Sequence, residues 1–343
     1  MKQGWRPRRT IVVASWDGEE EGLIGSTEWV EQHAADLEHA VAYFNIDVAA
    51  SGPAFNSAAV PSLYRFVREI VAEVPSAAGS GSVLDTWITQ QSIPSSSQSQ
   101  AFVPHQGSSV ATASAPVEEA HATTAPPRFG DLGSGSDYSP FLDHAGVPAA
   151  DIGADGPFGV YHSSYDNFDW FARFIDPGFA ITVQQARIFG LEILHMANAD
   201  VLPEDETATA EAVRGYLSRV RTRGATRGIS LDLSAAQAAA DSFITAARAV
   251  EARQLTAGPN AARLNAAVIA AEHALVLPQG LPLRPWYRHA IYAPGLDTGY
   301  APEVLPGVND AIDDGDAARA QAQVAELAAV LSHAAQMLNA AVR

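Results

Sequence analysis

The chain has 343 residues, of which 47% are hydrophobic and 17% charged, with a formal net charge of -18 and no cysteine. This composition is typical of a globular protein with one large or two medium domains. The negative charge disfavours nucleic acid and anionic membrane surfaces as partners. The lack of cysteine excludes disulfides and thiolate zinc sites, so a metal must be held by His, Asp or Glu. The compartment stays open, with export of a longer parent protein as one option.

The first predicted element is a strand over residues 11–16, followed directly by the acids Asp17, Glu19, Glu20 and Glu21. A continuous apolar, β-branched run is typical of a strand buried on both faces of a parallel sheet. Ligands of such sheets bind beyond the carboxyl ends of the strands. Four close carboxylates repel one another, and a divalent cation would relieve that repulsion. The cluster is therefore either the rim of a metal site or a solvated acidic loop.

The rest of the first half alternates helices and strands, as in βαβ units. The predicted elements are a helix capped by Ser26 and running to about residue 37, a strand at 41–46, a helix at 61–74, a strand at 147–152 and a helix at 177–199. Residues 76–128 are rich in Ser, Ala, Gly, Gln and Pro and are predicted to be a flexible insertion, with one ordered turn at 83–88.

The second half is alanine-rich and helical in pattern. Helices are predicted at 204–223, 234–254, 260–275 and 317–342. The change in character divides the chain into an α/β domain over 1–203 and an all-α domain over 204–343. Helices with small side chains pack closely, either within one bundle or against a partner, and the composition does not separate these alternatives.

Several side chains could take part in metal-assisted hydrolysis of a peptide bond. A water nucleophile needs a Lewis acid and a carboxylate that accepts its proton, and Glu19 and Glu20 could divide these tasks. Asp47 follows the second strand, although an Asp there is more often a turn residue. His162 is flanked by Tyr161 and Asp166, which could donate to an oxyanion and orient the imidazole, respectively. A lone loop histidine is more commonly an ordinary surface residue.

These segments closely resemble the glutamate carboxypeptidase and transferrin-receptor-like family of co-catalytic di-zinc peptidases. The resemblance covers nearly the whole chain outside the Ser-rich insertion. The segments that carry it are Arg6-Pro7-Arg8-Arg9-Thr10, Ala14-Ser15-Trp16-Asp17-Gly18-Glu19-Glu20, Gly22-Leu23, Gly25-Ser26-Thr27-Glu28-Trp29, Tyr43 to Asp47, Leu132-Gly133-Ser134-Gly135 with Asp137, Tyr161-His162-Ser163, Leu281-Pro282, and Arg284 to Pro294.

The resemblance implies a fold, a set of roles and a partner. The fold is α/β, a zinc-exopeptidase-like sheet flanked by helices, followed by an all-α helical-bundle dimerisation domain, so a homodimer is expected. The implied roles are general base for Glu19, zinc ligands for Glu20, Asp47 and His162, stabilisation of the tetrahedral intermediate for Tyr161, and substrate contacts for Gly135, Ser136 and Tyr300. Glu28 and Glu31 resemble calcium ligands of some relatives, or they form an exposed acidic helix face.

The chain also departs from the family pattern. The family takes a further His and a zinc-bridging Asp from an earlier segment, so the chain is expected to begin within the catalytic domain. It is then expected to bind zinc poorly in isolation. Gly299 precedes Tyr300 where glutamate-specific members have Lys, and Asp151, Gly153 and Ser136 stand where they have pocket Arg and Asn residues. An aminopeptidase or a broader exopeptidase acting on peptides is therefore expected, and the alternative is an inactive receptor-like or dimerisation scaffold.

Overall fold

A computed structural model describes residue 4 and residues 6–92, 125–257, 261–297 and 299–343. The strands are β1 Tyr43–Ile46, β2 Ala54–Ala59, β3 Ala149–Asp155, β4 Tyr292–Pro294 and β5 Pro302–Val304. The helices are α1 Ile24–Gln32, α2 Ala34–Leu37, α3 Tyr64–Glu73, α4 Val83–Gln91, α5 Phe168–Trp170, α6 Ala180–Asn198, α7 Glu206–Thr226, α8 Ser234–Gln254, α9 Ala261–His273, α10 Pro306–Asp313 and α11 Ala317–Val342. Within the described ranges, none of these helices combines the length and apolar character needed to cross a bilayer.

A three-stranded sheet in the order β1-β3-β2 forms the centre of the first half. β1 and β3 are parallel, with Asn45 opposite Asp151, whereas β2 runs antiparallel to β3. The strands predicted at 41–46 and 147–152 are therefore confirmed. β2 was not predicted, since its sequence, Ala54-Phe55-Asn56-Ser57-Ala58-Ala59, lacks the β-branched residues that favour strands.

The strand predicted at residues 11–16 is wrong. This segment has no regular secondary structure, and the side chains of Val12 and Val13 are 66% and 85% exposed. A β-branched run favours a strand, but a strand also needs a neighbour with which to form backbone hydrogen bonds. Only the end of the segment is packed, where Trp16 Nε1 donates to the Tyr43 hydroxyl at 2.9 Å.

The first-half helices largely follow the prediction, with one correction at α1. This helix begins at Ile24, and Ser26 lies inside it instead of capping it. The Ser26 hydroxyl donates to the carboxylate of Asp137 at 2.6 Å, which gives it a tertiary role. The helix predicted at 61–74 is present as a 3-10 turn, Pro61–Leu63, followed by α3. The helix predicted at 177–199 is α6.

The predicted flexible insertion starts too early. Residues 83–91 form α4, whose start carries a capping box in which Ser82 and Asp85 satisfy each other's backbone N–H groups. Trp87 of α4 is 2% exposed and packs edge-on against Phe55 and Phe129. Burying a tryptophan in this way makes α4 part of the core. Residues 93–124 of the predicted insertion lie outside the described residues.

The second half is helical, as predicted. The helices predicted at 234–254 and 317–342 have the bounds of α8 and α11, and those at 204–223 and 260–275 correspond to α7 and α9. The short helix α10 and the two-stranded ladder of β4 and β5 were not predicted.

One hydrophobic core runs through both halves of the chain. It includes Phe55 and Ile152 from the sheet, Leu217 from α7 and Leu338 from α11, each no more than 3% exposed. The predicted boundary between residues 203 and 204 stays a prediction. A second, smaller cluster joins α1 to β1 through Val30, Leu37, Phe141 and Val147, with Trp16, Trp29 and Tyr43 packed against it.

Candidate active site

The acids that follow the first apolar run lie in a tight turn that leads into α1. The amides of Gly22 and Leu23 both donate to the Glu19 carbonyl, at 3.0 and 2.8 Å. Gly18 and Gly22 have φ angles of 65° and 104°, which glycine adopts without a steric penalty. Gly25 packs directly on the turn, because a Cβ at that position would lie 2.5 Å from the Asp17 carbonyl oxygen. The turn is thus held by backbone contacts, which fix where the acids point.

Glu20 and His162 come together, although 142 positions separate them along the chain. His162 Nε2 lies 2.8 Å from Glu20 Oε1. Both side chains are accessible, at 48% and 67% exposure. His162 has a φ angle of 54°, which is uncommon for a residue with a Cβ, and its ring stacks on Tyr161 with centroids 3.8 Å apart. The loop backbone is therefore held in an unfavourable conformation that presents the imidazole to the acidic turn.

Glu19 lies in an environment that favours its protonated form. Burial, with smaller contributions from the carboxylates of Asp47, Glu20 and Asp137, raises the pKa of Glu19 to about 7, and His162 acts in the opposite direction. A carboxylate that titrates near neutral pH is suited to accept and release a proton during a reaction. Strongly shifted carboxylates of this kind are common at active sites.

A chain of hydrogen bonds fixes Asp47 beside this turn. The Ser136 hydroxyl donates to Asp47 Oδ2 at 2.7 Å. The Asn45 amide in turn donates to Ser136 Oγ at 3.0 Å and to Asp151 Oδ1 at 2.9 Å. Asn45 and Ser136 are almost fully buried, so these contacts hold the Asp47 carboxylate in one orientation. Burial raises the pKa of Asp151 to about 7, and Asp47 contributes to that rise.

Tyr161 and Tyr300 meet beside the same group of acids. Their hydroxyls are hydrogen-bonded, and burial raises the pKa of Tyr161, so it remains a proton donor. The Ser134 hydroxyl donates to the backbone carbonyl of Tyr300, which ties the loop around residue 300 to the Gly133-Ser134-Gly135 segment. Gly135 is half-buried and has a φ angle of 107°, a conformation that favours glycine.

The remaining candidate residues lie further out. Glu28 and Glu31 are on the exposed face of α1, and Glu31 Oε1 accepts a hydrogen bond from Trp286 Nε1 at 2.7 Å. Asp166 is exposed, and its amide donates to the Ser163 carbonyl at 3.0 Å. The calcium site and the outer-shell role of Asp166 stay predictions.

The donors have the right chemistry for zinc but not the right number. Carboxylate and imidazole groups are ordinary zinc ligands, and catalytic zinc sites use three from the protein. Among the described residues, no group of three or more His, Asp or Glu side chains converges closely enough to hold a metal ion. Glu20 and His162 form a pair, and Asp47 is directed toward Ser136. The described residues alone therefore do not fit a complete zinc centre.

Sequence reasoning missed the contacts that support these groups. Ser26 and Asp137 form a buried hydrogen bond that spans 111 positions, and burial together with nearby Asp47 raises the pKa of Asp137. Asn45 lies two positions before Asp47, and side chains two positions apart in an extended segment point to the same face. That alternation was the one local signal for Asn45, and it does not say which residue Asn45 contacts.

Each half of the chain matches a known protein family. Residues 1–122 match Peptidase family M28, and residues 228–339 match the transferrin receptor-like dimerisation domain. The two matches together confirm the resemblance to the glutamate carboxypeptidase and transferrin-receptor-like family. The predicted family resemblance and fold class are confirmed, and the chain is related to metallopeptidases of the exopeptidase kind.

Its relatives in this family include both carboxypeptidases and aminopeptidases. A probable glutamate carboxypeptidase of Arthroderma benhamiae is 37% identical over 93% of the chain and 41% of its own length. The probable glutamate carboxypeptidase LAMP1 of Arabidopsis thaliana is 34% identical over 92% of the chain and 42% of its own length. The aminopeptidase NAALADL1 of Rattus norvegicus is 28% identical over 86% of the chain and 39% of its own length. The chain thus spans about two fifths of the length of these relatives.

Proposed function

We propose that the protein is a zinc-dependent exopeptidase, of the aminopeptidase or broad carboxypeptidase type, with Glu19 as its general base. The observation that carries this proposal is the position of Glu19, whose pKa of about 7 is set by burial and by the acids around it. It lies next to the contact between Glu20 and His162. Hydrolysis of a peptide bond needs such a base within reach of the attacking water.

The residues of this chain divide the proton transfers and the charge stabilisation. Glu19 accepts a proton from the attacking water as the new C–O bond forms. It then delivers that proton to the departing amine nitrogen as the C–N bond breaks. The Tyr161 hydroxyl donates a hydrogen bond to the oxyanion of the tetrahedral intermediate. Glu19 must be ionised when the reaction begins, because only the carboxylate form can accept the proton.

Zinc is the proposed cofactor, with Glu20, His162 and Asp47 as the ligands that this chain contributes. These three side chains do not converge into one metal-binding group among the described residues. The proposed centre therefore requires donors besides them, and the two-zinc centre of the family requires a bridging carboxylate. We expect the chain alone to bind zinc weakly and to be impaired as an enzyme.

The proposed substrate is a peptide without a strict requirement for an acidic residue. The groups that influence the charge of Glu19 are Asp47, Glu20, Asp137 and His162, of which three are acids. A free carboxylate on the substrate would be repelled there, whereas an arginine would bind it through paired hydrogen bonds. Tyr300 is half-exposed beside this group and is proposed to contact the substrate, as is Gly135. Ser136 is 2% exposed with its hydroxyl bound to Asp47, so it is proposed to act on the substrate only by orienting that carboxylate.

The experiment is hydrolysis of a panel of aminoacyl and peptidyl substrates by the purified chain, with and without excess zinc. We expect weak, zinc-stimulated turnover that Glu19→Gln lowers at least about 100-fold, in line with the usual contribution of a general base. Glu21→Gln is the matched control, since Glu21 is an exposed acid of the same turn. Tight stoichiometric zinc with rapid turnover would contradict the incomplete centre. The absence of zinc-stimulated hydrolysis would favour a non-catalytic scaffold.

The region matching the transferrin receptor-like dimerisation domain suggests that the chain forms dimers. We propose a symmetric homodimer assembled through the helices of the second half. Two-fold symmetry is the most common arrangement of such assemblies, and each subunit presents the same surface.

A further inference from the structure

A group of three buried glutamates lies where the two halves of the chain meet, away from the candidate active site. Glu204 precedes α7, Glu206 begins α7 and Glu272 is near the end of α9. Their exposed fractions are 1%, 4% and 2%. Such residues are rarely buried unless they are paired.

The group is physically connected to the first half through the 3-10 turn that contains Ser62. The Ser62 hydroxyl donates to Glu272 Oε1 at 2.6 Å. The Asp205 amide donates to the Ser62 carbonyl at 2.9 Å. Ser62 is itself fully buried. The carboxyl group of Glu272 and the backbone at the start of α7 thus hold the same residue of the first half.

The other two carboxyls have little to compensate a negative charge. Within the described part of the chain, both oxygens of Glu204 lie buried without a hydrogen bond, whereas the carboxyl group of Glu206 is hydrogen-bonded to that of Glu272. Glu206 is close enough to Glu204, Glu272 and Asp205 for their charges to affect one another. An ionised carboxylate buried without a partner is strongly unfavourable, whereas the protonated form is neutral and can donate a hydrogen bond.

The nearby basic groups are engaged elsewhere. Arg9 is the cation that acts on Glu204, but its guanidinium donates to the carbonyls of Met196 and Ala199. Arg65 of α3 contacts Asp205 at 3.9 Å and pairs with Glu251 of α8 at 2.8 Å. Besides one another, the charged groups that act on the three glutamates are Arg9 on Glu204 and Asp205 on Glu206. Arg65 and Glu251 lie one contact further away, on the other side of Asp205.

We propose that Glu204, Glu206 and Glu272 form a pH-dependent contact between the two halves. The contact is stable when the carboxyl groups are protonated and is weakened when they ionise. Burial raises the pKa of all three above the ordinary value. A folded-state pKa above the unfolded one makes folding take up protons, so stability is present at low pH and is lost as the pH rises. The contact between the two halves is therefore weakened as the pH rises, independently of any peptidase activity.

The test is hydrogen exchange of the full chain between pH 5 and pH 9, expressed as protection factors so that the intrinsic pH dependence of exchange is removed. We expect the protection of the Asp205 amide, which donates to Ser62, to fall about tenfold per pH unit for each proton released. Glu206→Gln should make the pH dependence of this protection factor shallower by at least about tenfold per pH unit, the contribution of one proton. The matched control is Glu211→Gln, an exposed acid on the same helix.

If Glu206→Gln does not fold, Glu272→Gln provides the second variant, with the same expected loss of pH dependence. Protection that is independent of pH in the unmodified chain would overturn the proposal. It would also be overturned if the unmodified chain, Glu206→Gln and Glu211→Gln all lost protection in parallel.

Discussion

The hydroxyl of Ser136 donates a hydrogen bond to Oδ2 of Asp47 at 2.7 Å, and the Asp47 carboxylate is close enough to Glu19 to raise its pKa. Ser136 is 2% exposed and also accepts a hydrogen bond from Asn45. The carboxylate of Asp47 is therefore oriented by the protein before any substrate or cofactor binds.

We expect Ser136→Ala to destabilise the fold by about 1.5–3 kcal/mol, because it removes a buried hydrogen bond to a carboxylate and one of the two acceptors of the Asn45 amide. Urea unfolding at pH 7 measures the effect. Ser218→Ala is the matched control, since Ser218 is on the exposed face of α7. Equal midpoints for the two variants would show that the hydrogen bond contributes nothing measurable.

Gly25→Ala should distort the acidic turn. The added Cβ would lie 2.5 Å from the Asp17 carbonyl oxygen, so the backbone must shift. We expect a loss of about 1–3 kcal/mol, typical of overpacking. Gly215→Ala in α7 meets nothing within 4 Å and should stabilise the helix by about 1 kcal/mol. Thermal unfolding of the two variants checks the opposite signs, and a stabilised Gly25→Ala would contradict the packing of the turn.

Glu20→Gln should weaken zinc binding at least about tenfold if Glu20 is a ligand, because even residues that only orient metal ligands contribute that much. Isothermal titration calorimetry of the purified chain gives the affinity. The exposed neighbour Glu21 provides the control variant Glu21→Gln, whose affinity should match that of the unmodified chain. Zinc affinities that are equal in all three proteins would remove Glu20 from the proposed ligand set.

Glu192 of α6 is expected to make stability depend on pH. It is 0% exposed, and burial raises its pKa from 4.5 to about 8. The folded chain holds the proton and the unfolded chain releases it above pH 4.5, so stability falls with rising pH across this interval. The contribution is at most about 1.4 kcal/mol per pH unit.

Glu192→Gln should therefore raise the urea midpoint more at pH 8 than at pH 5. Glu73→Gln, at the exposed end of α3, should have the same small effect at both values. If Glu192→Gln shifted the two midpoints equally, the proton held by Glu192 would not contribute to stability.

The proposed homodimer should sediment at about twice the chain mass of 36.1 kDa. Sedimentation equilibrium of the full chain at micromolar concentration measures this mass. Because association depends on concentration, dilution should shift the equilibrium toward the monomer. A monomer throughout the micromolar range would rule out a stable homodimer.

Local patterns predicted most of the helices because helix formation depends on neighbouring residues. The bounds of α8 and α11 follow from their alanine-rich sequence. The apolar run at 11–16 shows the opposite case, since strand formation depends on a partner that local sequence does not reveal. β2 has weak strand propensity, and it forms because β3 offers it a paired edge.

The candidate site was predicted through family resemblance more than through local pattern. Glu20 and His162 are in contact, and the zinc-ligand roles that the resemblance implies for them stay predictions. The supporting pairs, Ser26 with Asp137 and Ser136 with Asp47, join residues that are 111 and 89 positions apart. Serines and acids are common on any surface, so their pairing follows from the tertiary fold and has no sequence signal of its own.

The shared hydrophobic core has a consequence for how the molecule unfolds. Phe55 and Ile152 pack in the same cluster as Leu217 and Leu338, so the main core of the described residues is shared by both halves. Heating is therefore expected to melt the sheet and the helical bundle in one cooperative transition. A cavity made in α11 would then lower the melting temperature of the strand that carries Asn45, far along the chain from the substitution.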